Sequence, residues 1–246
     1  MKSHRRVHFE GLEVITPRQI PRVDFHLHTT WTDGTNSLEE MHDRSLQCGL
    51  SKVLFSEHVR KTSGDWFPEF ARQTRALPTA GCRALVGAET KAVDFAGTLD
   101  CTAAIIAEAD LIMASVHRFP GERGTVRGFG DVDPAEAEDL EFRLASAILQ
   151  NPDVDILGHP FGMCYRRFHV RPSPARMRTL IELAARTGVA VEINAHYHPD
   201  PWLLIGWCRE AGATVSLGSN AHSIDEVGRV TRILDGREEP WCPSGF

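Results

Sequence analysis

Seven short apolar runs recur along the 246-residue sequence. They are VDFHLH (23–28), KVLFSEH (52–58), RALVGAE (83–89), DLIMASVH (110–117), VDILGH (154–159), VAVEIN (189–194) and TVSLGSNAH (214–222). Bounded runs of this length, mostly without polar alternation, are typical of strands that are covered on both faces. The sequence therefore predicts seven parallel strands joined by longer connections.

Helix start and stop signals fall between these runs. Ser37 and Glu40 form a capping box before a helix that ends at Gly49. Further helices are expected to begin at Asp133, Ser173, Asp200 and Ser223, and the last three to end near Gly188, Gly212 and Gly236. Strands that alternate with helices predict an α/β protein, either a barrel or a doubly wound sheet.

Nearly every predicted strand ends in a polar residue. These residues are His26, His28, His58, Glu89, His117, His159, Asn194, Asn220 and His222. In a barrel the carboxyl ends of all strands meet on one face, whereas a doubly wound sheet brings together only the strands at its switch point. The pattern therefore favours a single seven-stranded (β/α)7 barrel over residues 22–236, with an N-terminal extension (1–21) and a C-terminal tail (237–246).

The first strand carries ionisable residues on one face. Side chains alternate along a strand, so Asp24, His26 and His28 point the same way. One interpretation is a solvated face of an edge strand, and the other is a metal site with two imidazole ligands. In the second case we expect Asp24 to accept the free N–H of the His26 ring and to support catalysis in this way.

Composition excludes some classes of function. The formal net charge is −6 and no basic stripe is present, so nucleic-acid binding is not expected. We find neither a signal peptide nor an apolar stretch long enough to span a membrane, which predicts a cytoplasmic protein. The six cysteines include no CxxC pair, so we expect reduced thiols.

The motifs, taken in order, resemble those of the PHP (polymerase and histidinol phosphatase) domain family. They read HLH, Asp33-Gly34, SEH, GAE, SVH, GHP, EIN and GSNAH, and together they cover essentially residues 22–236. The resemblance implies a distorted seven-stranded barrel with up to three divalent metal ions (zinc, manganese or iron). It also implies hydrolysis of a small phosphorylated substrate. Within the family, the motifs SVH and EIN are similar to those of histidinol-phosphate phosphatases.

The resemblance also implies a set of metal ligands. It assigns His26, His28, Glu89 and Asn220 to a first ion, Glu89, His117 and His159 to a second, and Asp33, His58 and His222 to a third. The family usually has aspartate at the position of Asn220, so this chain lacks one negative charge at the first site. Imidazole and carboxylate ligands suit zinc, manganese or iron better than magnesium.

Chemistry with metal-activated hydroxide predicts further roles. We expect His222 or a metal to assist the leaving group, and Arg118 to act at the reacting phosphate. Arg118, Arg166 and Asn194 are the candidate substrate-binding residues, because arginine matches phosphate oxygens. The Gly-rich stretch 118–133 is either a lid over the site or an ordinary surface loop.

Three alternatives to a phosphomonoesterase remain. Asn220 is compatible with a metal-binding or regulatory domain that has lost catalysis. A phosphodiesterase or exonuclease is less expected, because no basic surface is evident. Hydrolysis of a C–N bond is disfavoured, because no strand-end lysine is available to bridge two metals as a carbamate. The sequence does not specify the substrate, the metal or the oligomeric state.

Overall fold

The computed structural model describes residues 8–9, 11–121 and 125–240, and a parallel sheet of seven strands lies at its centre. The strands follow one another in chain order. They are β1 (Val23–Leu27), β2 (Lys52–His58), β3 (Arg83–Lys91), β4 (Leu111–Ser115), β5 (Ile156–Leu157), β6 (Ala190–Asn194) and β7 (Val215–Gly218). The seven predicted apolar runs are thus the seven strands, although β5 and β7 are shorter than the runs that contain them.

Helices connect the strands on the outside of the sheet. They are α1 (Leu38–Gln47), α2 (Phe67–Ala76), α3 (Ala103–Glu108), α4 (Pro134–Gln150), α5 (Pro174–Thr187), α6 (Pro201–Ala211) and α7 (Arg229–Leu234). A π-helical turn, Cys164–Phe168, follows β5. The apolar faces of these helices and the strand side chains form one buried core.

The two edge strands of the sheet approach each other and nearly close it into a barrel. His28 N donates to Ala221 O at 2.9 Å, and Ala221 N donates to His26 O at 3.1 Å, so the chain just beyond β7 pairs with the end of β1. This confirms the predicted seven-stranded α/β barrel. Its consequence is that the carboxyl ends of all seven strands surround one mouth.

Most predicted helix ends agree with the structure. Ser37 and Glu40 form the capping box of α1, and the Asp133 side chain accepts a hydrogen bond from Ala135 N at the start of α4. Gly188, which ends α5, has φ 76°, a conformation that is costly for residues with a Cβ.

One helix start is wrong, and two helices were not predicted. The last helix begins at Arg229 rather than at Ser223, because the Glu226 carboxylate accepts the His222 N–H and residues 223–226 form a turn. Helices α2 and α3 were not recognised in the sequence.

Part of the N-terminal extension packs on the barrel. Ile15 and Ile20 are buried, and Lys52 Nζ donates to His8 O at 2.9 Å. Residues 1–7, 10 and 241–246 lie outside the described residues, so the domain boundaries stay a prediction. In the part of the chain described, no helix has the length and apolarity needed to cross a membrane.

Candidate metal centre

Six histidines and three carboxylates meet at the mouth of the barrel. They are His26, His28, Asp33, His58, Glu89, His117, His159, His222 and the buried Glu192. All of them except Glu192 belong to the ligand set implied by the sequence, which also includes the amide residue Asn220. Parallel register explains part of this convergence, because His58 on β2 lies opposite Glu89 on β3.

His26, His28 and Glu89 form the first group of possible ligand atoms. The Nε2 atoms of the two imidazoles are 3.0 Å apart, and Glu89 Oε2 lies 3.4 Å from His26 Nε2 and 3.6 Å from His28 Nε2. Ligand atoms bonded to a tetrahedral zinc ion at about 2.0–2.1 Å are separated by about 3.3 Å. The spacing of this group therefore fits one ion of that size.

The second group is centred on the other oxygen of the same carboxylate. Glu89 Oε1 lies 3.4 Å from His117 Nε2 and 3.2 Å from His159 Nε2, and the two nitrogens are 3.2 Å apart. Ser115 Oγ donates to Glu89 Oε1 at 2.6 Å and fixes the carboxylate. Glu89 thus presents one oxygen to each of two ligand groups, the geometry expected of a bridging residue.

The third group lies nearer to solvent. Asp33 Oδ2 is 3.4 Å from His58 Nε2, and Asp33 Oδ1 is 3.4 Å from His222 Nε2. His58 Nδ1 also lies 2.9 Å from Glu89 Oε2, so this group adjoins the first. Clusters that can hold a metal include these residues together with His28.

Buried atoms without partners mark the cluster as a ligand site. Among the described residues of the cluster, His28 Nδ1 and His159 Nδ1 are buried and make no hydrogen bond. A buried polar atom without a partner costs about 1–3 kcal/mol, so two such atoms in one cluster are expected where the protein binds an ion or water. The donor set fits divalent metals, while binding by each named residue stays a prediction.

The electrostatics of the cluster keep its carboxylates ionised. Burial alone would raise the pKa of Glu89, but the nearby imidazoles of His26, His117 and His58 hold it well below its usual range. Desolvation likewise opposes the low pKa of Asp33, which its hydrogen bonds to His222 and His58 produce. Both groups are therefore anionic and able to bind a cation at neutral pH.

Glu192, a residue of β6 that sequence reasoning missed, holds two candidate ligands in place. Its Oε1 accepts from His26 Nδ1 at 2.6 Å, and its Oε2 accepts the backbone N–H of His159 at 2.5 Å. The first bond leaves the His26 Nε2 lone pair directed toward His28 and Glu89. A glutamate inside an otherwise apolar strand was the signal in VAVEIN.

The role predicted for Asp24 is wrong. Its carboxylate accepts from the backbone N–H groups of Ser219 (2.8 Å), Gly228 (2.9 Å) and His26 (3.4 Å), and the His26 ring contacts Glu192 instead. The reason is the near-closure of the barrel, which brings the chain after β7 beside Asp24. Burial raises the pKa of Asp24 to about 6. Asp24 therefore stabilises the contact between β1 and the chain that follows β7.

The structure also contradicts substrate binding by Asn194. Asn194 is fully buried, its Nδ2 donates to Glu192 Oε1 at 2.8 Å, and its Oδ1 accepts from His196 N at 2.8 Å. Both the nitrogen and the oxygen of the amide thus form hydrogen bonds within the protein. Asn194 orients Glu192 and the turn after β6.

Glu57 of β2 supports the loop that carries Asp33. It is buried and accepts hydrogen bonds from Thr29 N (2.8 Å), Thr29 Oγ1 (2.7 Å) and the Thr32 hydroxyl. Burial raises its pKa to about 7. The loop between β1 and α1 is thereby tied to β2.

Asn220 adjoins the first ligand group in an unusual conformation. Its φ is 51°, in the left-handed region that asparagine tolerates better than most residues. Its side chain makes a hydrogen bond with the Tyr197 hydroxyl, and the Tyr197 ring lies 4.5 Å from the His159 ring. Coordination by Asn220 stays a prediction.

The contacts of the His222 ring are compatible with coordination through Nε2. Its Nδ1 donates to Asn220 O at 3.0 Å, which leaves the Nε2 lone pair facing Asp33. The predicted role of His222 as an acid stays untested.

A cavity of about 600 Å³ opens from the cluster to solvent. Asp33, His58, Glu89 and His117 form its inner wall, and Arg118 lies on its outer wall. Arg166 lies elsewhere, with its guanidinium 5.9 Å from the Tyr197 ring centroid. Arg118 is thus placed to meet a substrate in this cavity, whereas substrate binding by Arg166 stays a prediction. The proposed lid includes residues 122–124, which lie outside the described residues.

Comparison with known sequences identifies relatives over most of the chain. The DNA polymerase/3'-5' exonuclease PolX of Bacillus subtilis is 27% identical over 94% of this chain, but the match spans only 39% of the polymerase. A protein of Thermoanaerobacter sp. strain X514 named "Probable phosphatase" is 25% identical over 86% of this chain and 83% of its own length.

Solved structures share the fold. A structure from Listeria monocytogenes assigned to histidinol phosphatase matches 84% of this chain and 97% of its own, with a TM-score of 0.69 and 15% identity. Histidinol phosphate phosphatase from Lactococcus lactis, solved with zinc, L-histidinol and phosphate, matches 87% of this chain and 92% of its own, with a TM-score of 0.61 and 17% identity. The sequence profile of the PHP domain matches residues 24–196, and the chain belongs to this family.

Proposed function

We propose that this protein is a metal-dependent phosphoesterase that hydrolyses a small phosphomonoester. The observation that carries the proposal is the convergence of three imidazole–carboxylate groups on one cavity, with Glu89 shared between two of them. The phosphatase relatives and the zinc and phosphate in the Lactococcus lactis structure support it. The cytoplasmic location expected from the sequence remains part of the proposal.

The residues at the mouth of the barrel have different roles in the proposed reaction. Up to three divalent ions, zinc, manganese or iron, would supply Lewis acidity and an activated water when bound. Glu89, ionised at neutral pH, balances part of their charge on two sides, and Glu192 orients His26 through Nδ1. Arg118 also lines the cavity, where its guanidinium can bind an anionic group of the substrate.

The small number of anionic ligands has a consequence for the substrate. Among the ligands assigned from the family, only Asp33 and Glu89 carry negative charge, because Asn220 is neutral. A dianionic phosphate monoester therefore contributes charge that the protein itself does not supply. This favours monoesters over singly charged diesters.

Replacing His117 by alanine tests the proposal. We expect hydrolysis of 4-nitrophenyl phosphate to fall at least a hundredfold and the metal content to drop, because the second group loses one of its three ligand atoms. His169→Asn is the matched control: His169 is exposed, and asparagine accommodates its φ of 53°. Unchanged turnover in His117→Ala would remove the assignment.

The PolX relative supports a second candidate, a phosphodiesterase. Bis(4-nitrophenyl) phosphate, a diester with the same leaving group, separates the two activities. Faster hydrolysis of the diester favours the exonuclease-like alternative. Bound metal without hydrolysis of either ester favours a binding domain that has lost catalysis.

A further inference from the structure

Three basic residues line the outer part of the cavity. Arg60, Lys91 and Arg118, which we call the rim cations, lie beyond the metal-ligand candidates. The two carboxylates that line the cavity, Asp33 and Glu89, both belong to the ligand groups. The part of the cavity left for the organic portion of a substrate is therefore positively charged.

Strand geometry places Lys91 one layer beyond the candidate ligand Glu89. On β3, Lys91 follows Glu89 by two residues, so both side chains point to the same face, about 7 Å apart along the strand. Arg60 follows His58 on β2 by two residues, and Arg118 directly follows His117 after β4. Near the carboxyl ends of three neighbouring strands, a candidate ligand is thus followed within two residues by a cation.

Local contacts hold two of these cations at the outer layer. Lys91 Nζ lies 3.4 Å from Asp100 Oδ2, and Asp100 N donates to Lys91 O at 2.9 Å. The Arg118 guanidinium lies 4.2 Å from the centroid of the Phe129 ring. These contacts engage Lys91 with Asp100 and Arg118 with Phe129 rather than with Glu89.

The cavity is also larger than a phosphate group requires. Its volume of about 600 Å³ lies in the range of pockets that enclose a whole small molecule. Trp66, Thr62 and Ser63 complete the wall on the side of Arg60. The leaving group of the ester therefore has room beside Arg60, Arg118 and the Lys91 ammonium, which Asp100 contacts from one side.

We propose that the rim cations bind a second anionic group of the substrate, a carboxylate or a phosphate, carried on its leaving group. The inference rests on the proposed function and deepens it. Arginine and lysine bind both oxyanions, and like charges repel an ammonium group in the same place. Phosphoesters with a second anion are therefore better substrates than neutral or cationic ones such as histidinol phosphate.

Matched substrates test this selectivity in the metal-loaded enzyme. We expect kcat/KM for 3-phosphoglycerate to exceed that for glycerol 3-phosphate, which lacks the carboxylate, by at least tenfold. Fructose 1,6-bisphosphate against fructose 6-phosphate gives the same comparison for a second phosphate. The pair with the larger ratio shows which anion the rim prefers, and ratios near one for both pairs overturn the proposal.

Substitution of the rim cations locates the effect. In each of the variants Lys91→Gln and Arg60→Gln, we expect the ratio of kcat/KM between the two substrates of a pair to fall at least threefold. Arg143→Gln is the control, because Arg143 also stacks on an aromatic ring, Phe95, but lies outside the cavity. If kcat/KM falls equally for both substrates of a pair, the cations bind the scissile phosphate, which contradicts the proposal. Thermal melts verify that each variant is folded.

A binding measurement separates this inference from the proposed function. If the enzyme hydrolyses none of these esters, calorimetry with 3-phosphoglycerate and glycerol 3-phosphate still compares their affinities. Tighter binding of the former by at least tenfold, lost in Lys91→Gln, supports the rim site even though the proposed function has failed. Equal affinities overturn the inference.

Discussion

Glu192 connects two ligand groups through one buried carboxylate. Its oxygens hold the His26 ring at 2.6 Å and the His159 backbone at 2.5 Å, on opposite sides of the barrel mouth. Burial opposes ionisation, but the His26 charge and hydrogen bond lower the pKa of Glu192. The backbone of His159 has φ 23°, a conformation that this contact helps to maintain.

Replacing Glu192 by glutamine should weaken metal binding at the first group. Glutamine presents one acceptor oxygen rather than two, so either the His26 ring or the His159 N–H loses its partner. We expect metal affinity to fall by about 10- to 100-fold, the usual cost of losing such a support. Competition with a chelator of known affinity measures it, and the exposed Glu182→Gln is the control. An unchanged affinity would show that Glu192 is not a positioning residue.

Gly218 on β7 leaves the space that Glu192 occupies. A Cβ at Gly218 would overlap Glu192 Oε1 and approach His26 Cβ to 2.8 Å. Gly218→Ala should therefore displace the carboxylate and reduce both metal affinity and hydrolysis at least tenfold. Gly206→Ala on α6 is the control, because a Cβ there meets nothing within 4 Å. Full activity in Gly218→Ala would mean that the Glu192 contact is dispensable.

At the scale of elements, Glu141 of α4 supports the segment that follows His159. Its carboxylate accepts from the N–H groups of Met163 (3.1 Å) and Cys164 (2.8 Å), where the π-helical turn begins. The group is fully buried, and burial raises its pKa to about 7 from an ordinary 4.5. Helix α4 thus fixes the connection after β5 at the cost of a buried acid.

This acid makes stability depend on pH. Between pH 4.5 and 7 the folded protein keeps a proton on Glu141 that the unfolded chain releases, so the free energy of unfolding falls as pH rises. The total change is about 3 kcal/mol. Asp24 and Glu57, whose pKa values burial also raises, add to this decrease. Urea unfolding with a chelator present should therefore show a smaller decrease in Glu141→Gln than in the wild type.

Glu138→Gln is the matched control for this measurement. Glu138 lies on the same helix and accepts the Ser173 N–H at 2.7 Å, but its side chain is 22% exposed. The control should keep the pH dependence of the wild type. The same slope in Glu141→Gln and the wild type would contradict the role of Glu141.

Sequence patterns located the elements better than their ends. Capping residues such as Ser37 and Asp133 act through bonds to the next few residues, so a local pattern suffices to predict them. The start of α7 failed because Glu226 bonds back to His222. The N-terminus of α2 has no capping side chain, only a proline in its first turn, and was missed.

On the scale of the whole molecule, the barrel explains why the ligand positions could be predicted and their supports could not. The ligand candidates occupy the carboxyl ends of strands, and a closed parallel sheet brings those ends together whatever the details of packing. Supporting contacts cross the barrel, as between Glu192 and His26 on β1, and their register follows from closure. Asp24 was assigned wrongly because the neighbour strand β7 was not considered.

The central claim is that the cluster at the barrel mouth binds metal ions that make the protein a phosphoesterase. Chelated protein is titrated with zinc or manganese while phosphate release from 4-nitrophenyl phosphate is measured. We predict no hydrolysis without metal. As metal is added, the rate of hydrolysis should rise and reach its maximum at no more than three metal ions per chain. Hydrolysis that persists in the metal-free protein, or metal binding by His26→Ala/His117→Ala equal to that of the wild type, would contradict the claim.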